Sequence, residues 1–218
     1  MKRMRLAALS LFAVSLMGAA LASSSSAYLP VNFRTGIGKL PVPYGLTEVI
    51  EIWIFGIATK SGTTGEVNCS NGSMAGTLES NGAAKDKAVF DEVAFTGTGI
   101  GGACESSLGP ATITTSDLPW PNEFTNKKTL TIKGTKKVAF SVTYIGAAGE
   151  PKCTYEAGKV SSTFTAGAAG HPEPVTITTS DQKFKLNKKA SAKTCATEGQ
   201  LSATTKATAG GETVEAEL

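Results

Sequence analysis

Four cysteines, Cys69, Cys104, Cys153 and Cys195, and a single histidine, His171, decide which chemistries this 218-residue chain has the side chains to run. No C-x-x-C occurs, the nearest two cysteines are 35 positions apart, and His171 has no histidine partner, so a zinc site has no ligand set to draw on. An even cysteine count reads instead as two disulfides in an oxidising compartment. Of the three possible pairings we take Cys69 with Cys104 and Cys153 with Cys195, because each then ties together one half of the chain. Closing loops of 35 and 42 residues would restrict the unfolded chain by about 4 kcal/mol each.

Hydrolytic triads need a histidine base, and His171 sits alone in the loop Ala169-Gly-His-Pro-Glu-Pro174, with no G-x-S-x-G around any serine. Gly97-Thr-Gly99-Ile-Gly-Gly102 matches G-x-G-x-x-G and follows an expected strand. A dinucleotide site also needs a helix whose N-terminus meets the pyrophosphate, and Ala103 to Pro110 reads as a loop; the motif is a glycine-rich turn, and no cofactor is expected. Paired-carboxylate chemistry stays open, because such pairs meet in space and not in sequence, with Asp91, Glu92 and Glu123 as candidates.

Two features point to binding. In Asp117-Leu-Pro-Trp-Pro-Asn-Glu-Phe124 two prolines stiffen a segment carrying Trp120 and Phe124, rings that on a sandwich loop would stack on sugars or anchor a partner. The competing reading folds Trp120 back over an open end of the core. The second feature is two lysine clusters, Lys127 to Lys137 and Lys183 to Lys193, with five lysines each. They would attract acidic wall polymers by charge alone, or simply keep edge strands from aggregating.

The start MKRMR followed by a 17-residue apolar run, Leu6 to Ala22, has the form of a signal peptide. Small-x-small sites at Ala20-Leu21-Ala22 and Ser25-Ser26-Ala27 put the mature start at Ser23 or Tyr28; we take residues 1–27 as the leader. The run is shorter than the ~20 apolar residues of a spanning helix, and Val49 to Ala58 is shorter still and carries Glu51, so no stable membrane insertion is expected after cleavage. Removing Lys2, Arg3 and Arg5 cancels the formal +3 and leaves 18 basic against 18 acidic residues, of which Arg34 is the one arginine. Phosphate and base recognition lean on the guanidinium fork, so nucleic acid is not an expected partner.

These residues must be positioned by strands. After residue 60 short runs rich in Thr, Val, Ile and Phe alternate with Gly, Asn and Pro every 8 to 12 residues, and no helical period is sustained. The expected fold is all-β, an antiparallel two-sheet β-sandwich, Ig-like or jelly-roll-like, of about ten to twelve short strands. Residues 65–218 would form the disulfide-bonded sandwich, with 28–64 packing on it as an N-terminal segment. Within 28–64, Ile50 to Phe55 alternate as strand residues and Trp53 reads as core. Expected strands include Gly65 to Cys69, Ala88 to Thr96, Val138 to Ile145, Ser191 to Cys195 and Leu201 to Ala207. Asn71-Gly72 and Asn81-Gly82 are the strongest hairpin signals, and Pro174 places the strand near Val175 at an edge. Pro110-Ala-Thr-Ile-Thr-Thr-Ser-Asp117 returns as Pro174-Val-Thr-Ile-Thr-Thr-Ser-Asp181, which suggests similar hairpins in two places.

Phe95-Thr-Gly running to Cys104, Leu118-Pro-Trp120, Cys153-Thr-Tyr-Glu-Ala-Gly158 and Cys195 followed by Gly199-Gln-Leu-Ser resemble a family of uncharacterised secreted actinobacterial β-sandwich proteins. The resemblance covers about residues 65 to 208 and implies export, two sequential disulfides and a sandwich; it implies no activity. The functional expectation is a secreted, non-catalytic binding or envelope-associated module. Its partner would be a cell-envelope polysaccharide or another surface protein, with Trp120 and Phe124 as contacts. The alternatives are a carbohydrate-active enzyme using Asp and Glu, a structural or matrix component, and a small-molecule carrier with an apolar cavity between the sheets.

Overall fold

The computed structural model describes residues 31–35, 38–39, 44–58, 64–146, 150–210 and 212–218, with backbone alone for 38–39, 44–58 and 64–65. The expected leader at residues 1–27 and the side chain of Trp53 lie outside what is described. β-Branched and aromatic residues alternating with polar ones build antiparallel strands throughout. Among the described residues the one helical element is a 3₁₀ turn at Ile100–Gly102, and no helix is long and apolar enough to cross a membrane.

One layer of the sandwich runs β5 (Asn71–Leu78), β6 (Lys85–Thr96), β9 (Trp120–Thr125), β10 (Thr129–Ile132), β13 (Val160–Phe164), hydrogen-bonded in that order. The other runs β16 (Glu198–Ala209), β15 (Thr176–Leu186), β12 (Lys152–Ala157), β11 (Val138–Tyr144), β8 (Ala111–Ser116). Two long strands join them. β3 (Tyr44–Ala58) pairs β5 with its first half, β4 (Thr64–Cys69) with its second, and β16 through its middle. β15 pairs β13 near its start and β12 near its end, with β16 along both parts. The path β16-β3-β5-β6-β9-β10-β13-β15 therefore returns to β16. A strand that changes sheets must bend, and β15 does so at a register shift between Thr179 and Gln182, where Asp181 adopts φ 48°.

A four-stranded sheet closes one end: β14 (Glu173–Pro174), β18 (Glu215–Glu217), β1 (Asn32–Thr35), β2 (Gly38–Lys39). Its Phe33 enters a three-ring cluster, 5.0 Å from Phe124 and 6.2 Å from Phe164. The Asn81 side chain holds β1 in place, accepting from Phe33 N–H and donating to Phe33 C=O, both at 2.8 Å. The N-terminal segment is thus more than an attachment, since β3 lies inside the main sheet. Both disulfides form as expected, Cys69–Cys104 and Cys153–Cys195, with Cα separations of 4.5 and 5.6 Å.

Eighteen strands are described, more than the ten to twelve expected. Part of the excess is two-residue pairings, β2 and β14 above together with β7 (Glu105–Ser106) and β17 (Glu212–Thr213). Asn71-Gly72 is not a hairpin: both residues lie in β5, opposite Thr96 and Phe95, and the chain passes from β4 to β5 through Ser70 alone. Asn81-Gly82 does sit in the β5–β6 turn, where the buried Asp86 carboxylate accepts from Gly82 N–H at 3.2 Å and Ala83 N–H at 3.0 Å. Ser191 to Cys195 is a loop fixed by the disulfide and by backbone bonds such as Ala192 N–H to Lys152 C=O at 2.9 Å. The repeated octapeptide builds no repeated hairpin. Asp117 and Asp181 share a left-handed φ, 58° and 48°, but the chain leaves β8 after the first and continues as the same bent strand after the second.

A lysine-lined cleft as candidate functional site

Trp120 and Phe124 are in the core and cannot serve as surface contacts. Trp120-Pro-Asn-Glu-Phe-Thr125 is strand β9, and its alternation turns Trp120 and Phe124 inward with 5% and 2% of their surface exposed. The Trp120 indole N–H donates to Ser116 C=O at 3.1 Å, so its polar edge is satisfied without solvent. Phe124 packs edge-on against Phe33 and Phe164, at 5.0 and 5.4 Å. Proline-stiffened loops and strands read alike here, because Pro121 takes a strand position where its carbonyl is needed: it accepts from Lys133 N–H at 2.9 Å.

A carrier needs an apolar cavity between the sheets. Trp120, Ile132, Phe140, Phe184 and Ala203 are among the side chains around an apolar gap of about 50 Å³, against the roughly 300–1,000 Å³ of small-molecule pockets.

The lysine clusters, by contrast, converge. Strand alternation puts Phe184 in the core and Lys183 and Lys185 outside. Lys133 directly follows β10, and a tight turn brings Lys137 close to it; a Cβ on Gly134 would stand 1.7 Å from the Lys137 carbonyl oxygen, so this turn requires glycine. Lys159 joins them from the β12–β13 turn. These five lysines, with Glu156, Ala157, Gly158 and Leu186, line an open cleft of about 750 Å³. Lys159, Glu156 and Gly158 carry no signal in the sequence, since only the closure of β12 and β13 onto β15 places them beside the two clusters.

Glu156 is the one acid in the lining. It stands opposite Lys185 in the β12–β15 register, pairs with the Lys137 ammonium, and accepts from the Asn187 side-chain amide. The Lys137 hydrogen bond, helped by that of Asn187 and opposed by burial, holds its carboxyl below the ordinary 4.5. Lys133, Lys159, Lys183 and Lys185 have no ion pair within 4.0 Å among the described residues, so the lining carries five positive charges against one negative. Like charges held together without partners are a standing cost in self-repulsion that a bound anion relieves.

Burial pushes the Tyr155 hydroxyl up to about 12, and Tyr144 higher, by burial first and the Tyr155 charge second, so neither titrates in an ordinary pH range. His171 is exposed on its loop. In the glycine-rich turn, Gly97 N–H bonds Gly102 C=O and Gly99 N–H bonds Ala103 C=O, both at 2.9 Å. The amides that would cradle a phosphate are thus turned onto the loop's own carbonyls. No group of three or more His, Cys, Asp or Glu able to hold a metal stands together among the described residues. No family model, curated protein or solved structure matches the chain.

Proposed function

We propose that this chain is an exported, non-catalytic binding module of the cell envelope, and that it holds an anionic ligand in the cleft between Lys133, Lys137, Lys159, Lys183 and Lys185. The observation that carries the reading is the convergence of five lysines from three separate stretches on one cleft with a single, already paired, acid. The two disulfides and the leader-like start support export. Lysine heads are compact, strongly hydrated charges on flexible stems, suited to holding carboxylates or phosphates one at a time. The partner class is therefore an acidic envelope polysaccharide, recognised by charge.

The test is calorimetric titration of the oxidised protein with polygalacturonate and with neutral dextran, at low and at high salt. Saturable, salt-sensitive binding of the acidic polymer alone, weakened at least tenfold in Lys183→Gln/Lys185→Gln, supports the proposal. Equal behaviour of the two polymers, or an unaffected double variant, overturns it.

A further inference from the structure

The cleft does not end at its own rim. Lys133 also lines a second groove of about 280 Å³, whose other walls include Lys87, Glu123, Pro121 and Thr131. Glu123 in turn pairs with Lys85 at 3.0 Å, and Lys85 and Lys127 line a third depression of about 420 Å³. The outer face of β15, β13, β10, β9 and β6 therefore carries one chain of adjoining depressions. Lysine lies along its whole length; the acids Glu156 and Glu123 are each engaged by a lysine at its side, and a third acid, the exposed Glu79, lines the second groove without an ion pair among the described residues. β13, β10, β9 and β6 are consecutive neighbours, so from Lys159, just before β13, to Lys87 the path crosses three strand intervals, about 14 Å at ~4.8 Å each, while Lys183 and Lys185 reach it from beyond the β15 bend.

We infer that the ligand is a linear polyanion lying across these strands, from Lys183 and Lys185 through Lys133 to Lys87, and not a compact single anion. The inference rests on the proposed anion-binding reading and extends it to the shape of the ligand. A compact anion would be satisfied within the first cleft and would leave Lys87 and the second groove without a role. A flexible chain with one charged group per repeat meets a succession of ammonium groups, each engaged independently. The exposed large apolar residues, Ile100 and Ile145, belong to neither groove, and no exposed aromatic ring is present among the described residues. The described linings of the three depressions thus hold none of the stacking platforms by which single-stranded nucleic acids and many sugars are held. The shared chemistry is a repeated monoanion, which uronate polysaccharides supply as carboxylates and polyol phosphates as phosphodiesters.

The experiment compares galacturonate dimers, tetramers and decamers on the wild type and on Lys87→Gln, an exposed position outside the first cleft. The expected result is an affinity that rises at least tenfold from dimer to decamer, with Lys87→Gln weakening the decamer severalfold and leaving the dimer unchanged. A polyglycerol phosphate of the decamer's length identifies the source: tighter binding than the decamer assigns phosphodiesters, weaker binding assigns carboxylates, and either supports a linear ligand. Equal affinity for dimer and decamer, with Lys87→Gln silent, overturns the linear track while leaving the cleft as an anion site. No binding of any oligomer or of the phosphate polymer overturns the track and the anion-binding reading together.

Discussion

Replacing Glu156 by glutamine should strengthen anion binding, although it breaks an ion pair. Glutamine keeps the length of the side chain and an oxygen for Asn187 or Lys137, but removes the one negative charge in the lining, taking it from four to five net positive charges. An added unit of charge acting about 4 Å from a bound anion in water-like surroundings amounts to about 1 kcal/mol, roughly a fivefold gain in affinity. The lost pair stabilises the fold by no more than about 1 kcal/mol, so the variant should remain folded. Titration with a sulfated dextran at low ionic strength reads the gain, and at ~1 M salt, where the screening length falls to about 3 Å, it should vanish. Acid gives a second reading. Because Glu156 sits below 4.5, its contribution to stability is fully present above 4.5 and is lost as pH falls through its lower folded value. Wild-type affinity for the sulfate polymer should therefore hold as pH passes 4.5 and approach that of Glu156→Gln only below it. Unchanged or weaker binding by the variant at low salt would refute the charge argument.

Four other variants test the fold that carries the cleft. Phe124→Ala removes the central ring of the Phe33–Phe124–Phe164 cluster and should cost about 3–5 kcal/mol in urea denaturation; a loss below 1 kcal/mol would contradict its core placement. Asn122 is 4% exposed on the inward face of β9 with neither amide atom hydrogen-bonded. Asn122→Leu should therefore stabilise by about 1–3 kcal/mol, and destabilisation by chemical melts would show that the amide has a partner. Cys153→Ser/Cys195→Ser should lower stability by roughly 2–5 kcal/mol and blunt binding, because that disulfide anchors the loop after Lys185; unchanged binding and melting would refute the link. In Trp53→Phe, emission from Trp120 should be blue-shifted and resist acrylamide, and a red, quenchable signal would contradict its 5% exposure.

Much of the fold is legible in the residues, because two-residue alternation is a local property. Strands such as Ala88 to Thr96 and Val138 to Ile145, and the disulfide pairing, follow from pattern and spacing. What is not legible depends on partners far away in sequence. Trp120 to Phe124 reads as a displayed loop because its prolines are visible and its neighbours β6 and β10 are not. Asn71-Gly72 carries the composition of a turn, but pairing with Thr96 and Phe95 of β6 keeps it extended. The site divides the same way. Both lysine clusters stand out in the sequence, whereas their meeting, and the addition of Lys159 and Glu156, come from β15 bending at Asp181 to pair first with β13 and then with β12.

The central claim is that an anionic polymer binds at the lysine cleft, and backbone amide NMR of the oxidised protein titrated with a galacturonate hexamer tests it most directly. The account predicts saturating shifts at Lys133, Gly158, Lys159, Lys183 and Lys185, extending toward Lys87, with the β1–β18 end unmoved. Shifts clustered at that end or around the Ile100 turn, or no shifts at low salt, would contradict it.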